Sequence, residues 1–172
     1  KARLTLEDNQ DLFKVKFTLT YPEEFPTTGP EVKNHIEKMI KRIKREVGDI
    51  KYFWVLEFQD RGAPHLHFLI DKFIDKKWLS KAWYEVVDSG DPKHLAAGTW
   101  IAAIKDPEHD IGYLTTYLGK EYQKKVPEGF GDPGRFWGGN VKALPKLIIK
   151  VIGNKEQVES IYSKMEEIYA TL

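Results

Sequence analysis

Residues 51 to 70 read KYFWVLEFQDRGAPHLHFLI, two runs of aromatic and branched apolar residues separated by the short polar loop DRGAP. Runs of this length and composition are strands, and a short loop containing Gly and Pro joins them as a β-hairpin. The hairpin commits the chain to a sheet and brings residue 57 close to residue 65. A third strand is equally plain. LFKVKFTLTY (12 to 21) alternates strictly, with Phe13, Val15, Phe17 and Leu19 on one face and Lys14, Lys16, Thr18 and Thr20 on the other, which marks a half-buried strand.

Helices fill the intervals. Pro30 opens and Gly48 closes a segment whose Val32, Ile36, Met39, Ile40, Ile43 and Val47 recur at helical spacing above an outer face of Lys and Arg. Asp75 caps a helix carrying Trp78, Leu79, Ala82, Trp83 and Val86, and TWIAAIK (99 to 105) is a further run of strand length. Asp106 and Pro107 form an N-cap and first turn for a helix reaching to about Lys125. KLIIKVI (146 to 152) reads as a strand, and Asn154 caps a last helix with Val158, Ile161, Tyr162, Met165, Ile168 and Tyr169 inward. The order β-α-β-β-α-β-α-β-α predicts an α+β fold with a central antiparallel sheet of about five strands flanked by helices. With no repeat, low-complexity tract or linker, residues 1–172 are expected to form one domain.

His65 and His67 stand two apart in the second arm of the hairpin, so both imidazoles share one face with Leu69 while Leu66, Phe68 and Ile70 take the other. Glu57, the one acid within KYFWVLEF, lies across from them, and Gln59 shares its face as a supporting hydrogen-bond partner. A carboxylate and two imidazoles suit Mn2+, Zn2+ or Mg2+ with coordination positions left open for substrate oxygens. The ordinary alternative is a pair of hydrogen-bonded surface histidines.

Composition narrows the chemistry. Without Cys there is no thiol nucleophile, disulfide or Cys-based zinc site, so the ligand vocabulary is His, Asp and Glu. Lys and Arg number 27 against 26 Asp and Glu, and any surface for a polyanion must therefore be local. No apolar run approaches the roughly 18 residues that span a bilayer, and KARLTLEDNQ lacks a signal-peptide core. A soluble cytoplasmic protein without a membrane partner is expected. The chain opens on Lys1 rather than Met, which leaves room for a longer protein.

On the helix predicted for 110 to 125, Tyr113, Tyr117, Lys120 and Lys124 fall within about 40° of one another, apart from the stripe of Ile111, Leu114 and Leu118. A phenol with a pKa of about 10 needs a nearby cation or base to act as a nucleophile, and Lys120 follows Tyr117 by one turn. The plain alternative is an ordinary amphipathic helix. GDPGRFWGG (131 to 139) sets Arg135, Phe136 and Trp137 among glycines, where a guanidinium could meet phosphate and an aromatic plane a base, or where Trp137 plugs a loop onto the core. Arg61 and Lys124 complete the candidate DNA contacts, whereas the basic face of the first predicted helix is diluted by Glu31, Glu37 and Glu46. A metal beside tyrosines and a lysine has a coherent use: tyrosine attacks a polarised phosphodiester, leaving a phosphotyrosine ester and the free hydroxyl a polymerase needs.

FTLTYP (17 to 22), GAPHLHFLI (62 to 70) and YLTTYLGK (113 to 120), in this order, resemble the three motifs of HUH-superfamily rolling-circle replication initiators, the Rep endonucleases of plasmids and phages. GRFWG (134 to 138) resembles a stretch found downstream in such members, so the likeness covers nearly the whole chain. The resemblance implies an RRM/ferredoxin-like sheet with the HUH strand in the middle and the tyrosine on a helix opposite. It implies Mn2+ or Mg2+, nicking of single-stranded origin DNA, a hairpin in some cases, a 5′-phosphotyrosine link, a 3′-OH primer and strand rejoining at termination. Carried over, His65 and His67 are the HUH ligands, Glu57 the third ligand, and Tyr117 or Tyr113 the nucleophile. Two-tyrosine members tend to read Y-x-x-K-Y-x-x-K, but Thr116 stands where the first lysine belongs. Tyr117 is thus the preferred nucleophile, with Lys120 stabilising charge and Tyr113 a second nucleophile or a positioning group.

The host cell is expected to be bacterial or archaeal. With no Walker A pattern in the chain, unwinding falls to a separate host helicase, and synthesis to a host polymerase. A single-strand DNA transposase would use the same chemistry on different DNA. A non-catalytic nucleic-acid-binding domain would use the sheet as a stacking platform, and a metal-dependent hydrolase would use water in place of tyrosine.

Overall fold

Five strands, β1 (Val15–Thr20), β2 (Tyr52–Phe58), β3 (Pro64–Ile70), β4 (Thr99–Ala103) and β5 (Trp137–Gly139), join edge to edge in the order β4-β1-β3-β2-β5. Every pairing is antiparallel. The structure is a computed structural model and describes residues 2–112, 125–143, 159 and 163. The strand that carries His65 and His67, β3, is the middle one. This is the α+β architecture that the sequence predicts.

The alternation in β1 and β3 divides the apolar residues between two faces. On one face, Phe17 and Phe68 stack with ring centroids 5.0 Å apart, and Val15, Leu19, Trp54, Leu56, Leu66 and Ile70 join them in the main core. The helix α2 (Gly29–Val47) closes this face with Val32, Ile36, Met39 and Ile43, the inward stripe expected of it. Gly48 ends α2 at φ +78°, and its N–H donates to the Lys44 carbonyl at 2.9 Å. The helix α3 (Lys76–Val86) begins where Asp75 accepts from the Trp78 N–H, and it inserts the wholly buried Trp83. The Trp83 indole N–H is satisfied by the Thr20 carbonyl at 2.8 Å, which ties α3 to the end of β1. On the opposite face a smaller cluster gathers Phe13, Phe53, Val55 and Leu69 with Leu6 of α1 (Ala2–Glu7) and with Ile111.

Several elements depart from the sequence reading. The short helix α1, the 3-10 turn Gln10–Leu12 and α4 (Pro92–Ala97) were not anticipated. β4 ends at Ala103, two residues before the expected Lys105. The largest correction is β5, because the glycine-rich stretch 131–139 reads as a loop and yet closes the sheet at the β2 edge. Its glycines are the reason. A Cβ on Gly138 would come within 2.7 Å of the Trp54 ring, and one on Gly139 within 2.5 Å of the Tyr52 carbonyl oxygen, so only a chain without side chains approaches this closely. Residues 107–112 are helical and begin after Asp106 as expected, with the Asp106 carboxylate accepting from the His109 N–H at 3.1 Å. The strand expected at 146–152 and the helix expected from Asn154 lie outside the described residues. Among the described residues no helix is long and apolar enough to cross a membrane.

Replacing Gly138 by Ala is expected to destabilise the protein by about 1–3 kcal/mol, because the Trp54 ring is buried and has no room to withdraw. Urea unfolding of the two proteins side by side reads this out.

Candidate metal centre

Sheet register brings the predicted ligands together. Glu57 of β2 sits directly opposite His65 of β3, and His67 lies two residues along on the same face. The three ligand atoms fall within 4.8 Å of one another. Among the described residues they form the one cluster of three such groups. Glu57 Oε1 is 2.9 Å from His67 Nε2, and both side chains are largely covered, 14% and 11% exposed. The two imidazole rings meet edge to face with centroids 4.8 Å apart.

The second neighbour of β3 supplies a partner that the sequence reading missed. Thr20 of β1 pairs with His65, and its hydroxyl lies 3.0 Å from His65 Nδ1. With Nδ1 so engaged, Nε2 is the nitrogen that His65 has left for a ligand, the usual way a neighbouring group fixes the tautomer of a metal-binding imidazole. The signal was present in FTLTYP, whose alternation places Thr18 and Thr20 on the polar face. Burial, reinforced by the nearby His67 and only partly opposed by Glu57, pushes His65 down to about 4. It is therefore neutral at pH 7, the form that binds a cation.

Glu57 shows what the site lacks. Its second oxygen, Oε2, is buried and has no hydrogen-bond partner among the described residues. Leaving such a group unsatisfied costs about 1–3 kcal/mol, and more for a charged one. A divalent cation removes that cost, and the donor set of one carboxylate and two imidazoles suits one. The residues present thus fit a metal ion, and nothing in their arrangement names which. Beside them a cavity of about 740 Å3 opens, lined by Glu57, Gln59 and Gly62 on one side and by Lys125, Pro127 and Glu128 on the other.

The remaining predicted residues fall in different places. Gln59 does not support Glu57, since its side-chain oxygen accepts from Arg61 at 3.1 Å. Arg61 itself is bound inward, donating to the carbonyls of Tyr21 and Pro22 at 2.7 and 2.8 Å and lying over the Phe25 ring. Trp137 is on the same sheet face as the triad, opposite Val55, and it stacks on Phe53 at 5.5 Å. Arg135 lines a different cavity, against α2. Tyr113, Tyr117, Lys120 and Lys124 lie outside the described residues. An aromatic that the sequence reading passed over is Trp100. It pairs with Thr18 on the triad's face, is 50% exposed, and has the Lys16 ammonium 5.9 Å from its ring. Lys16 also holds Asp110 at 2.8 Å, which joins the 107–112 helix to this face, and that contact keeps the Asp110 carboxyl below its ordinary value.

An antiparallel sheet with flanking helices and a carboxylate-imidazole triad on its central strand defines an α+β protein with a candidate divalent-cation site. The chain belongs to the ORF2-type family of replication-associated proteins, whose model matches residues 14–122. This membership supports a role in initiating replication and implies nucleic acid as a partner. No curated protein and no solved structure matches the chain.

Calorimetric titration with Mn2+ checks the centre. His67→Ala is expected to abolish saturable binding, and Thr20→Val to weaken it by about 10–100-fold through loss of the His65 partner. Undiminished binding by His67→Ala would move the metal elsewhere.

Proposed function

We propose that the chain is a rolling-circle initiator of the HUH type, which nicks single-stranded origin DNA with a tyrosine nucleophile and a divalent cation, Mn2+ or Mg2+, held by Glu57, His65 and His67. The observation that carries this reading is the convergence of the triad on the middle strand in a member of a replication-associated family. The cation, when bound, supplies polarisation and orientation of the scissile phosphodiester. Thr20 keeps His65 in the ligating tautomer, and the neutral state of His65 leaves Glu57 as the one formal charge among the three ligands.

In the chemical step the phenolic oxygen of Tyr117 gives up its proton to solvent and bonds to phosphorus, and the bond from phosphorus to the 3′ oxygen breaks. That oxygen takes up a proton and becomes the 3′-OH primer, while the 5′ side of the strand stays esterified to tyrosine. Lys120, three residues on in sequence, stabilises the phenolate or phosphate charge. Attack of a 3′-OH on the phosphotyrosine reverses the step and rejoins a strand, with Tyr113 serving as second nucleophile or as a positioning group. Helicase and polymerase functions come from separate host proteins. Two features of the flanking residues agree with this assignment. Ile111, just before the tyrosine segment, packs on the triad's face. Lys125 to Glu128, just after it, line the cavity beside Glu57. On the same face, Trp100 offers a plane on which a base stacks.

Incubation with single-stranded origin-like oligonucleotides and Mn2+, followed by denaturing gels and peptide mass spectrometry, tests the mechanism. Wild type is expected to form an adduct that chelator prevents, and Tyr117→Phe to lose it while binding DNA as before. An adduct that survives in Tyr117→Phe assigns the nucleophile to Tyr113, and cleavage without any adduct supports a water-using hydrolase instead. In fluorescence anisotropy, Trp100→Ala is expected to weaken single-strand binding by about 1–3 kcal/mol.

A further inference from the structure

A second cavity, of about 570 Å3, lies on the other face of the sheet, between the start of α2 and the β2-β5 edge. Lys33, Tyr52, Trp54 and Arg135 line it. The Lys33 ammonium lies 4.5 Å from the centroid of the Trp54 ring and donates to the Arg135 carbonyl oxygen. Burial first, and then the Arg135 charge, bring Lys33 down to about 8. Two cations therefore face one cavity. Among the described residues neither has a carboxylate within ion-pair distance, and the Arg135 guanidinium makes no hydrogen bond.

The acids nearby do not neutralise the pair. Asp132 also lines the cavity, but its carboxylate accepts from the Gly134 N–H at 2.8 Å, and Glu37 points to Lys41 at 3.9 Å. Holding like charges together in a partly dry site is unfavourable, and an anion from outside the protein relieves it. The volume exceeds what a bare phosphate fills and lies within the range of about 300–1,000 Å3 for small-molecule sites. Tyr52, half-buried in the wall, adds an aromatic surface.

We propose that this cavity binds the phosphate of a nucleotide, with Lys33 and Arg135 on the phosphate and Tyr52 against the base or sugar. The phosphate belongs either to a free nucleotide or to a strand of DNA wrapping past the sheet edge. The site goes beyond the nicking reading, because it lies across the sheet from the triad and needs neither a cation nor a tyrosine nucleophile.

Calorimetry on the full chain with EDTA present tests it, with dTMP, thymidine and a short single-stranded oligothymidylate as probes. Arg135→Gln and Lys33→Met are each expected to lower affinity for a phosphate-bearing probe about tenfold, with thymidine binding no better to wild type than to the variants. Loss seen with dTMP supports a free nucleotide, and loss confined to the oligonucleotide, with the salt slope reduced by about one, supports a phosphate of the strand. Equal binding by wild type and Arg135→Gln, or no binding of either phosphate probe by wild type, overturns the proposal. Arg135 is exposed, so its variant decides the matter if circular dichroism shows that Lys33→Met does not fold. His67→Ala is expected to match wild type in this assay, so loss of nicking and loss of the phosphate site are read separately.

Discussion

The register of β2 against β3 is the constraint on which the rest of the protein depends. Glu57 meets His65 only because the turn between them has a fixed length, closed by the Gly62 N–H on the Gln59 carbonyl and the Gln59 N–H on the Ala63 carbonyl. Gly62 takes φ +80° there, a conformation that favours glycine over any side chain. Slipping the pairing by one residue would turn Leu66 and Phe68 out of the main core and the histidines into it. Because both faces of this hairpin are covered, by Trp54 and Leu56 on one side and Phe53 and Val55 on the other, that slip is strongly opposed. Arg61 reinforces the turn by fastening it to the Tyr21 and Pro22 carbonyls. The hairpin's apolar residues thus fix in place the polar atoms at its end.

The polar triad is itself unfavourable to folding. It places a carboxylate oxygen without a partner among the described residues and a neutral imidazole at the border of an apolar cluster. Nothing in packing calls for these groups, and apolar residues of similar size would serve the sheet better. Thr20 offsets part of that cost through His65. A site that a fold maintains against its own stability is best understood through a ligand, and the donor set makes that ligand a divalent cation.

The two faces divide the labour. Most of the large buried side chains, Trp83, Phe17, Phe68, Met39 and Leu66 among them, are on the α2 and α3 side. The opposite face carries a smaller cluster, the triad and the half-exposed Trp100. β5 serves both sides. Trp137 extends the triad's face by stacking on Phe53, whereas its two glycines let the edge press against Trp54 and leave Arg135 beside Lys33.

The amino-acid sequence by itself determined the elements with a strong period and the ligand set. Strict alternation in β1, the apolar stripe of α2 with its closing glycine, the Asp75 cap and the aromatic hairpin were legible because each is a local pattern with a local cause. Glu57, His65 and His67 were legible because a polar residue inside an apolar strand is conspicuous. Asp91 and Pro92 carry the same opening signal as Asp106 and Pro107, but they begin a helix of only 6 residues, too short to display a period. Only tertiary structure decided the rest. Strand β5 exists because glycine permits close approach to Trp54, a contact between segments far apart in the chain that propensity does not register. Thr20 became a partner of His65, Gln59 turned to Arg61, and Lys33 was brought to Arg135, because these pairings arise from how distant strands and helices pack, which no local pattern encodes.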